Sequence, residues 1–371
     1  MDARKYWLGF NVVKGIGPIR LRELRQYFGG LEQAWNASEA DLAQAGLDRR
    51  TLANFLLVRQ SVNLDEMLRQ IEVIGATMLT LDDPDYPALL REIPDPPPVL
   101  YIKGRFAESD RWSVALVGTR AATTYGRDVT YELVNSLVQA GITIVSGLAR
   151  GIDAVAHRTA LDAGGRTIGV LGSGIDMIYP PEHRRLAEEI ADSGVVVSEF
   201  PPGTPPDGKN FPIRNRIISG LSLGVVVVEA PVDSGALLTA DRAAEQGRDV
   251  FAVPGNVTSK KSQGANYLIQ NGAKLVLRAE DILDELNLSH PTVETRTQLR
   301  EIAPSGPVET ALAQYLTAEP LHIDDLCQLT GLPIVQVSSA LALMELKGSV
   351  RRLEGMHYTV ARGTGGSYRL D

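Results

Sequence analysis

The stretch Ile142-Thr143-Ile144-Val145-Ser146-Gly147-Leu148-Ala149-Arg150-Gly151-Ile152-Asp153 decides how the chain is read. A short apolar, β-branched run gives way to a loop of small residues, and a helical pattern from Ile152 to Asp162 follows. Strand, tight turn and helix in that order form the repeating unit of a parallel α/β sheet. The unit recurs along the chain. Apolar runs stand at Val114 to Val117, Thr167 to Leu171, Val195 to Ser198, Val225 to Val228, Val250 to Val253 and Leu275 to Leu277. Helical patterns at Tyr125 to Gln139, Glu182 to Asp192 and Ala236 to Gln246 separate several of them. Strands that are apolar on both faces need helices on both sides. The expected fold class is therefore α/β, a doubly wound, Rossmann-like, mostly parallel sheet spanning residues 81–286.

The flanks read differently. Residues 1–80 are helical by pattern and are expected to form a small SAM or helix-hairpin-helix-like domain. Gly15-Ile16-Gly17-Pro18-Ile19-Arg20 opens one helix, with proline near the start where its missing N–H costs nothing. Ala45-Gly46-Leu47 precedes another at Thr51 to Arg59. The turns of such a bundle either offer amides to a DNA phosphate or serve a protein contact. Asp95-Pro96-Pro97-Pro98 makes a stiff crossing into the sheet. Residues 287–306 turn polar and lose periodicity, as a linker does. Within residues 307–371, helices at Val308 to Leu316, His322 to Leu329 and Ile334 to Leu346 precede a hairpin from Val350 to Val360 that turns at Gly355. Three helices and a hairpin make a winged-helix pattern. Its third helix, with Val335-Gln336-Val337-Ser338-Ser339, lacks the cations of a major-groove reader. Arg351 and Arg352 can touch phosphates, and a partner-binding role stays open.

A chain of 371 residues exceeds what one core usually serves, in keeping with several domains. Cys327 is the only cysteine, so no internal disulfide framework exists. With no apolar leader and no run long enough to span a bilayer, a cytoplasmic protein without a membrane partner is expected. The formal net charge of −8 confines any polyanion site to local basic clusters. Two stand out: Lys14, Arg20, Arg22 and Arg25, and then Lys209, Arg214 and Arg216.

In an open parallel sheet, ligands bind beyond the carboxyl ends of the strands. The loops there are Gly118-Thr119-Arg120, Ser146 to Asp153, Gly172-Ser173-Gly174-Ile175-Asp176, and Glu199 to Thr204 leading to Lys209-Asn210-Phe211-Pro212-Ile213-Arg214-Asn215-Arg216. Small residues let a phosphate approach backbone amides, and cations neutralise it. A nicotinamide dinucleotide site fails, because Gly172-Ser173-Gly174-Ile175-Asp176-Met177 puts Met where helix packing needs Gly. A Walker A loop fails as well. In Gly203-Thr204-Pro205-Pro206-Asp207-Gly208-Lys209, Asn210 replaces the magnesium-binding hydroxyl and two prolines remove donors. No nucleophile elbow and no metal-spaced histidine pair is found, so neither catalysis nor a cofactor is expected. Asp153, Asp176 and Glu199 are read as carboxylates that orient Arg150 or Arg120. Tyr179, Phe200, Phe211 and Tyr267 are able to stack on bases, with core packing the simpler expectation for each.

Taken together, these motifs resemble the DNA-processing protein A (DprA/Smf) family. The resemblance rests on Gly118-Thr119-Arg120, Ser146 to Asp153, Gly172 to Asp176, Phe211 to Gly220 and Ser234-Gly235-Ala236-Leu237-Leu238-Thr239-Ala240. Phe251-Ala252-Val253-Pro254-Gly255-Asn256 and Gly264-Ala265-Asn266-Tyr267-Leu268-Ile269 extend it over the whole central domain. It implies a homodimeric, non-enzymatic protein that binds and protects incoming single-stranded DNA in natural transformation and helps load the recombinase RecA. Carried over by motif, Arg120 and Lys209 grip phosphates, while Arg214 and Arg216 either do so or pair with a pocket carboxylate. Lys260 and Lys261 lie in a loop that tends to be basic in the family. The full set of expected DNA-phosphate residues is Gly118, Thr119, Arg120, Ser146, Gly147, Arg150, Gly172, Ser173, Gly174, Lys209, Arg214, Asn215, Arg216, Lys260 and Lys261. Double-stranded DNA at the flanking domains and single-strand-binding protein are further implied partners. Two other readings stay open: an adaptor that recruits the recombinase, and a phosphoribohydrolase-like enzyme on nucleotides. The enzyme reading is weakened because Asp233 to Ala240 carries no glutamate at the catalytic place and Glu245 lies too far down its helix.

Overall fold

A computed structural model describes residues 3–288, 307–316, 321–346 and 350–360. The chain divides into two compact units, residues 1–287 and 288–371. The first unit opens with helices α1 (Arg4–Asn11), α2 (Pro18–Phe28), α3 (Leu31–Asn36), α4 (Glu39–Gln44), α5 (Arg49–Ser61) and α6 (Leu64–Val73). Pro18 starts α2, and Gly29, at φ 77°, ends it in the left-handed region that glycine adopts without strain. Asp48 caps α5 by accepting from the Arg50 and Thr51 amides. Phe10, Trp35 and Phe55 lock the bundle, with ring centroids 5.1 to 5.3 Å apart. The first basic cluster is partly neutralised: Arg20 pairs with Asp48 at 2.9 Å and Arg25 with Asp82 at 2.8 Å.

The sheet has nine strands in the order β1-β2-β6-β5-β4-β3-β7-β8-β9. Seven are legible in the sequence: β3 (Ser113–Val117), β4 (Thr143–Ser146), β5 (Thr167–Val170), β6 (Val195–Ser198), β7 (Gly224–Val227), β8 (Asp249–Ala252) and β9 (Lys274–Leu275). All seven run parallel. Two more, β1 (Thr77–Thr80) and β2 (Val99–Gly104), pair antiparallel with each other, and β2 pairs antiparallel with β6. The strand at Thr77 to Thr80, set with the helices by a boundary at residue 80, thus lies in the sheet.

Helices α7 (Ala88–Arg91), α8 (Thr124–Gln139), α9 (Ile152–Asp162), α10 (Arg184–Ser193), α11 (Asn210–Gly220), α12 (Gly235–Glu245), α13 (Gln263–Gln270) and α14 (Ala279–Glu285) complete the unit. The sequence reading treats residues 209–216 as a loop, and α11 corrects this. Residues 214 to 220 of α11 are all buried, so the helix has no polar stripe to betray its period. Strand order reverses between β3 and β7, which makes their carboxyl ends the topological switch point.

The second unit contains α15 (Pro307–Ala313), β10 (Leu321–His322), α16 (Ile323–Thr330), α17 (Ile334–Leu346), β11 (Val350–Leu353) and β12 (His357–Val360). Its sheet order is β10-β12-β11. Leu312, Leu326, Val337, Leu341 and Tyr358 form the core. Helices and hairpin stand where the winged-helix pattern set them. On α17, Val335 is 73% exposed and the helix carries no lysine or arginine. The expected linker beyond Leu288, the side chains of Arg351 and Arg352, and residues 361–371 lie outside the described residues. Among the described residues no single helix is long and apolar enough to cross a membrane.

Candidate nucleic-acid interface

The loops at the carboxyl ends of β3 to β6 hold the expected residues, but most of their donors are already used. After β3, Thr119 N donates to the Glu229 carbonyl at 2.7 Å. A Cβ on Gly118 would lie 2.5 Å from Ile152 and 2.9 Å from that carbonyl, so only glycine fits there. Thr123 caps α8, and the buried Glu229 carboxylate accepts from Thr123 N at 2.9 Å and from its hydroxyl at 2.8 Å. The positive end of α8 therefore already faces an anion. After β4, Asp153 accepts from Gly147 N and Ala149 N. Burial pushes its carboxyl up, while Arg214 and those amides pull the other way. After β5, Gly174 N donates to Thr204 O at 2.8 Å, and Asp176 takes the Gly203 amide.

These bonds correct part of the expected phosphate set. The Ser146 hydroxyl donates to Leu116 O at 2.6 Å and that of Ser173 to Met177 O at 2.5 Å, both inward. Arg214 is 5% exposed and donates to Gly147 O and Val170 O. Burial holds its pKa down to about 10. Arg216 is buried between Glu199, at 2.5 Å, and Asp95, at 3.1 Å. Asn215 donates to Gly235 O. Gly147, Gly172 and Gly174 are buried as well. The reason is general: a buried polar group must be paired, and a loop of small residues packs closely enough to pair with its own chain. None of these side chains faces a ligand from solution.

Fewer residues face outward. Arg150 is exposed and paired with Glu182 at 2.6 Å, a surface pair that is easily exchanged. Lys261 reaches the Ala121 carbonyl. Arg120, Lys209 and Lys260 are exposed, and among the described residues no carboxylate pairs with them. Arg120 stands over Phe211, its guanidinium carbon 5.5 Å from the ring centroid, and Arg214 lies 5.8 Å from the same ring. The Tyr179 ring is 5.8 Å away and partly exposed. A Cβ on Gly172 would come 2.7 Å from Phe211, so that glycine is the seat of the ring. The Phe211 ring is half-buried, packed against Gly172 on one side and bordered by Arg120 on another. Its signal in the sequence is its place two residues after Lys209, just ahead of a buried Arg-Asn-Arg.

His157 lies behind this surface, fully buried. His157 Nδ1 lies 2.7 Å from the Thr167 hydroxyl, which in turn lies 2.8 Å from Ile144 O. Burial holds the pKa of His157 down to about 3, against 6.5 for the free group. Between those values the unfolded chain binds a proton that the folded chain refuses. Stability is full above about pH 6.5 and declines on acidification, by up to about 1.4 kcal/mol per pH unit from this group. Chemical denaturation between pH 7 and 4 should show that slope, and His157→Leu should flatten it. An unchanged slope would remove His157 as its source.

Comparison with known proteins adds identity to this geometry. The model for DNA recombination-mediator protein A matches residues 77–287, and that for the DprA winged helix domain matches residues 297–356. The chain is 39% identical to protein Smf of Synechocystis, over 96% of this chain and 98% of that one. It is similar to the crystal structure of DNA processing protein A from Streptococcus pneumoniae, with a TM-score of 0.68 and 36% identity over 76% of this chain and 97% of that one. A Helicobacter pylori DNA processing protein A, described for its single-stranded DNA binding mode, matches with a TM-score of 0.51 and 29% identity, covering 57% of this chain and 95% of that one. The chain belongs to the DprA/Smf family of DNA recombination mediators.

Proposed function

We propose that the chain is a non-enzymatic, cytoplasmic recombination mediator that grips single-stranded DNA on the surface formed by Arg120, Lys209 and Phe211. The observation that carries this reading is the half-buried Phe211 ring with Arg120 above it, an exposed cation that pairs with no carboxylate among the described residues. A cation for phosphate beside an aromatic face for a base is the pairing that single strands require, since duplex bases offer no free face. Arg150 serves as an outer contact, and the Gly118-Thr119 turn sets the place of Arg120. The buried Ser146, Ser173, Arg214, Asn215 and Arg216 shape the surface without touching the strand. The related H. pylori protein, described as binding single-stranded DNA, supports the same choice of ligand. Family membership is the support for RecA loading and for a place in natural transformation.

Labelled single- and double-stranded oligonucleotides titrated at two salt concentrations test the reading. Single strands should bind more tightly, with log K falling by about 0.7 per phosphate contact for each unit of log salt. Salt-independent binding, or equal affinity for duplex, would overturn it.

Two further roles have their own support. Leu275 in β9 and Leu277 just after it are exposed at the last strand of the sheet, and an apolar sheet edge favours a second copy of the chain there. The outer face of α17, with Ile334, Val335 and Leu343 exposed and no lysine or arginine, favours a protein contact such as the recombinase over groove reading.

A further inference from the structure

A cavity of about 450 Å³ stands at the switch point, among the segments that follow β3, β7 and β8. Thr123, Tyr125, Glu229, Asn256, Ser259 and Ser262 line it, and none of them belongs to the proposed DNA surface. Its size falls within the range of small-molecule sites, about 300–1,000 Å³, and its position is where open α/β sheets hold ligands.

The lining is graded. Glu229 is 2% exposed, and each of its carboxylate oxygens accepts one hydrogen bond from Thr123. A carboxylate has about four acceptor positions, so two remain. Among the described residues no cation pairs with it. This wall takes O–H or N–H donors and repels anions. A divalent ion would want more than one carboxylate, and the lining offers one. Tyr125 is tied by its hydroxyl to Pro254 O at 2.7 Å, which fixes its ring between α8 and the loop after β8. Asn256 Oδ1 is occupied by the Thr258 amide and hydroxyl, leaving its Nδ2 as a donor. Lys260 and Lys261 follow Ser259 directly, and Lys261 reaches across to Ala121 O. The lining runs from an anionic acceptor to an aromatic face with hydroxyls, and two lysines follow its Ser259 in the chain.

We propose that this cavity is a ribonucleotide site separate from the DNA surface. The ribose 2′,3′-diol donates to Glu229, the base lies against Tyr125, and the phosphate meets Lys260 and Lys261. A vicinal diol is the donor pair that a partly occupied carboxylate accepts, and deoxyribose lacks half of it. The same chemistry could come from a free ribonucleotide or from a nucleotide of the bound strand, and the diol favours the free one.

Calorimetric titration of the full chain with adenosine 5′-monophosphate, its 2′-deoxy analogue and a thymidine oligonucleotide tests this. The ribonucleotide should bind, and the deoxy analogue should bind roughly tenfold or more weakly, since it forgoes a hydrogen bond to a charged group. Saturating oligonucleotide should leave ribonucleotide affinity unchanged. Glu229→Gln should weaken the ribonucleotide and level the two sugars. Because Glu229 also serves the start of α8, Ser259→Trp provides a second variant: it should fill the cavity and abolish nucleotide binding while oligonucleotide affinity stays as it was. Three results overturn the proposal: no nucleotide binding at millimolar concentration, equal affinity for both sugars, or undiminished binding by the filled variant. Displacement of the ribonucleotide by the oligonucleotide also overturns it and assigns the cavity to the strand. Oligonucleotide affinity measured on the same samples keeps the fate of the DNA surface distinct.

Discussion

Arg214→Met should lower the free energy of unfolding by about 3–5 kcal/mol, the cost of removing one member of a buried charged group. The guanidinium is enclosed at the sheet end and donates to the carbonyls of Gly147 and Val170, which belong to the loop after β4 and to β5. Its charge also offsets Asp153, whose carboxyl burial already pushes up. Methionine fills similar volume, so the destabilisation reports polar groups left unpaired rather than a void. In urea titration the midpoint should fall with the slope preserved. Asp153→Asn in the same background should recover part of the stability, because it removes the uncompensated charge. A midpoint within experimental scatter of the parent would show that Arg214 is not the strut described.

Replacing both Arg120 and Lys209 by alanine should give the largest functional effect. Each substitution removes a charge-assisted hydrogen bond to phosphate worth about 1.5–3 kcal/mol, so single-strand affinity should drop by roughly a hundredfold or more. The drop should be the same for every sequence, because phosphate contacts carry no base code. The salt slope should shrink by about 0.7 for each phosphate no longer neutralised. Both side chains are exposed and make no ion pair among the described residues, so the denaturation midpoint should stay put. Arg150→Ala, which breaks only the surface pair with Glu182, should cost much less. Parent-like affinity in the double variant would remove this surface as the DNA site.

What the sequence reveals, and what it hides, follows from burial. The seven parallel strands are legible because near-continuous runs such as Val225 to Val228 mark a strand covered on both faces. The β1–β2 pair is not, since Thr77 to Thr80 is four residues long and β2 sits directly behind three prolines. Helix α11 is hidden by being buried along most of its length. At the site, residue type is a sound guide to which loops matter but a poor one to which side chains face out. Arg120 and Arg214 look alike in sequence; only the packing shows one turned to solvent and the other spent on carbonyls. Such a distinction depends on partners far away in the chain, which no local pattern carries.

The Phe211 ring is clamped before any ligand arrives. Arg120 and Arg214 lie close to it, Gly172 leaves it room, and Tyr179 borders it. The helix that bears it is tied further along by Arg216 to Glu199 and Asp95. Side-chain ordering, which an adaptable surface would owe at each encounter, has here been settled during folding. A strand meeting this surface gives up its own freedom and little of the protein's, so preorganisation lets so small a set of contacts hold a flexible polymer.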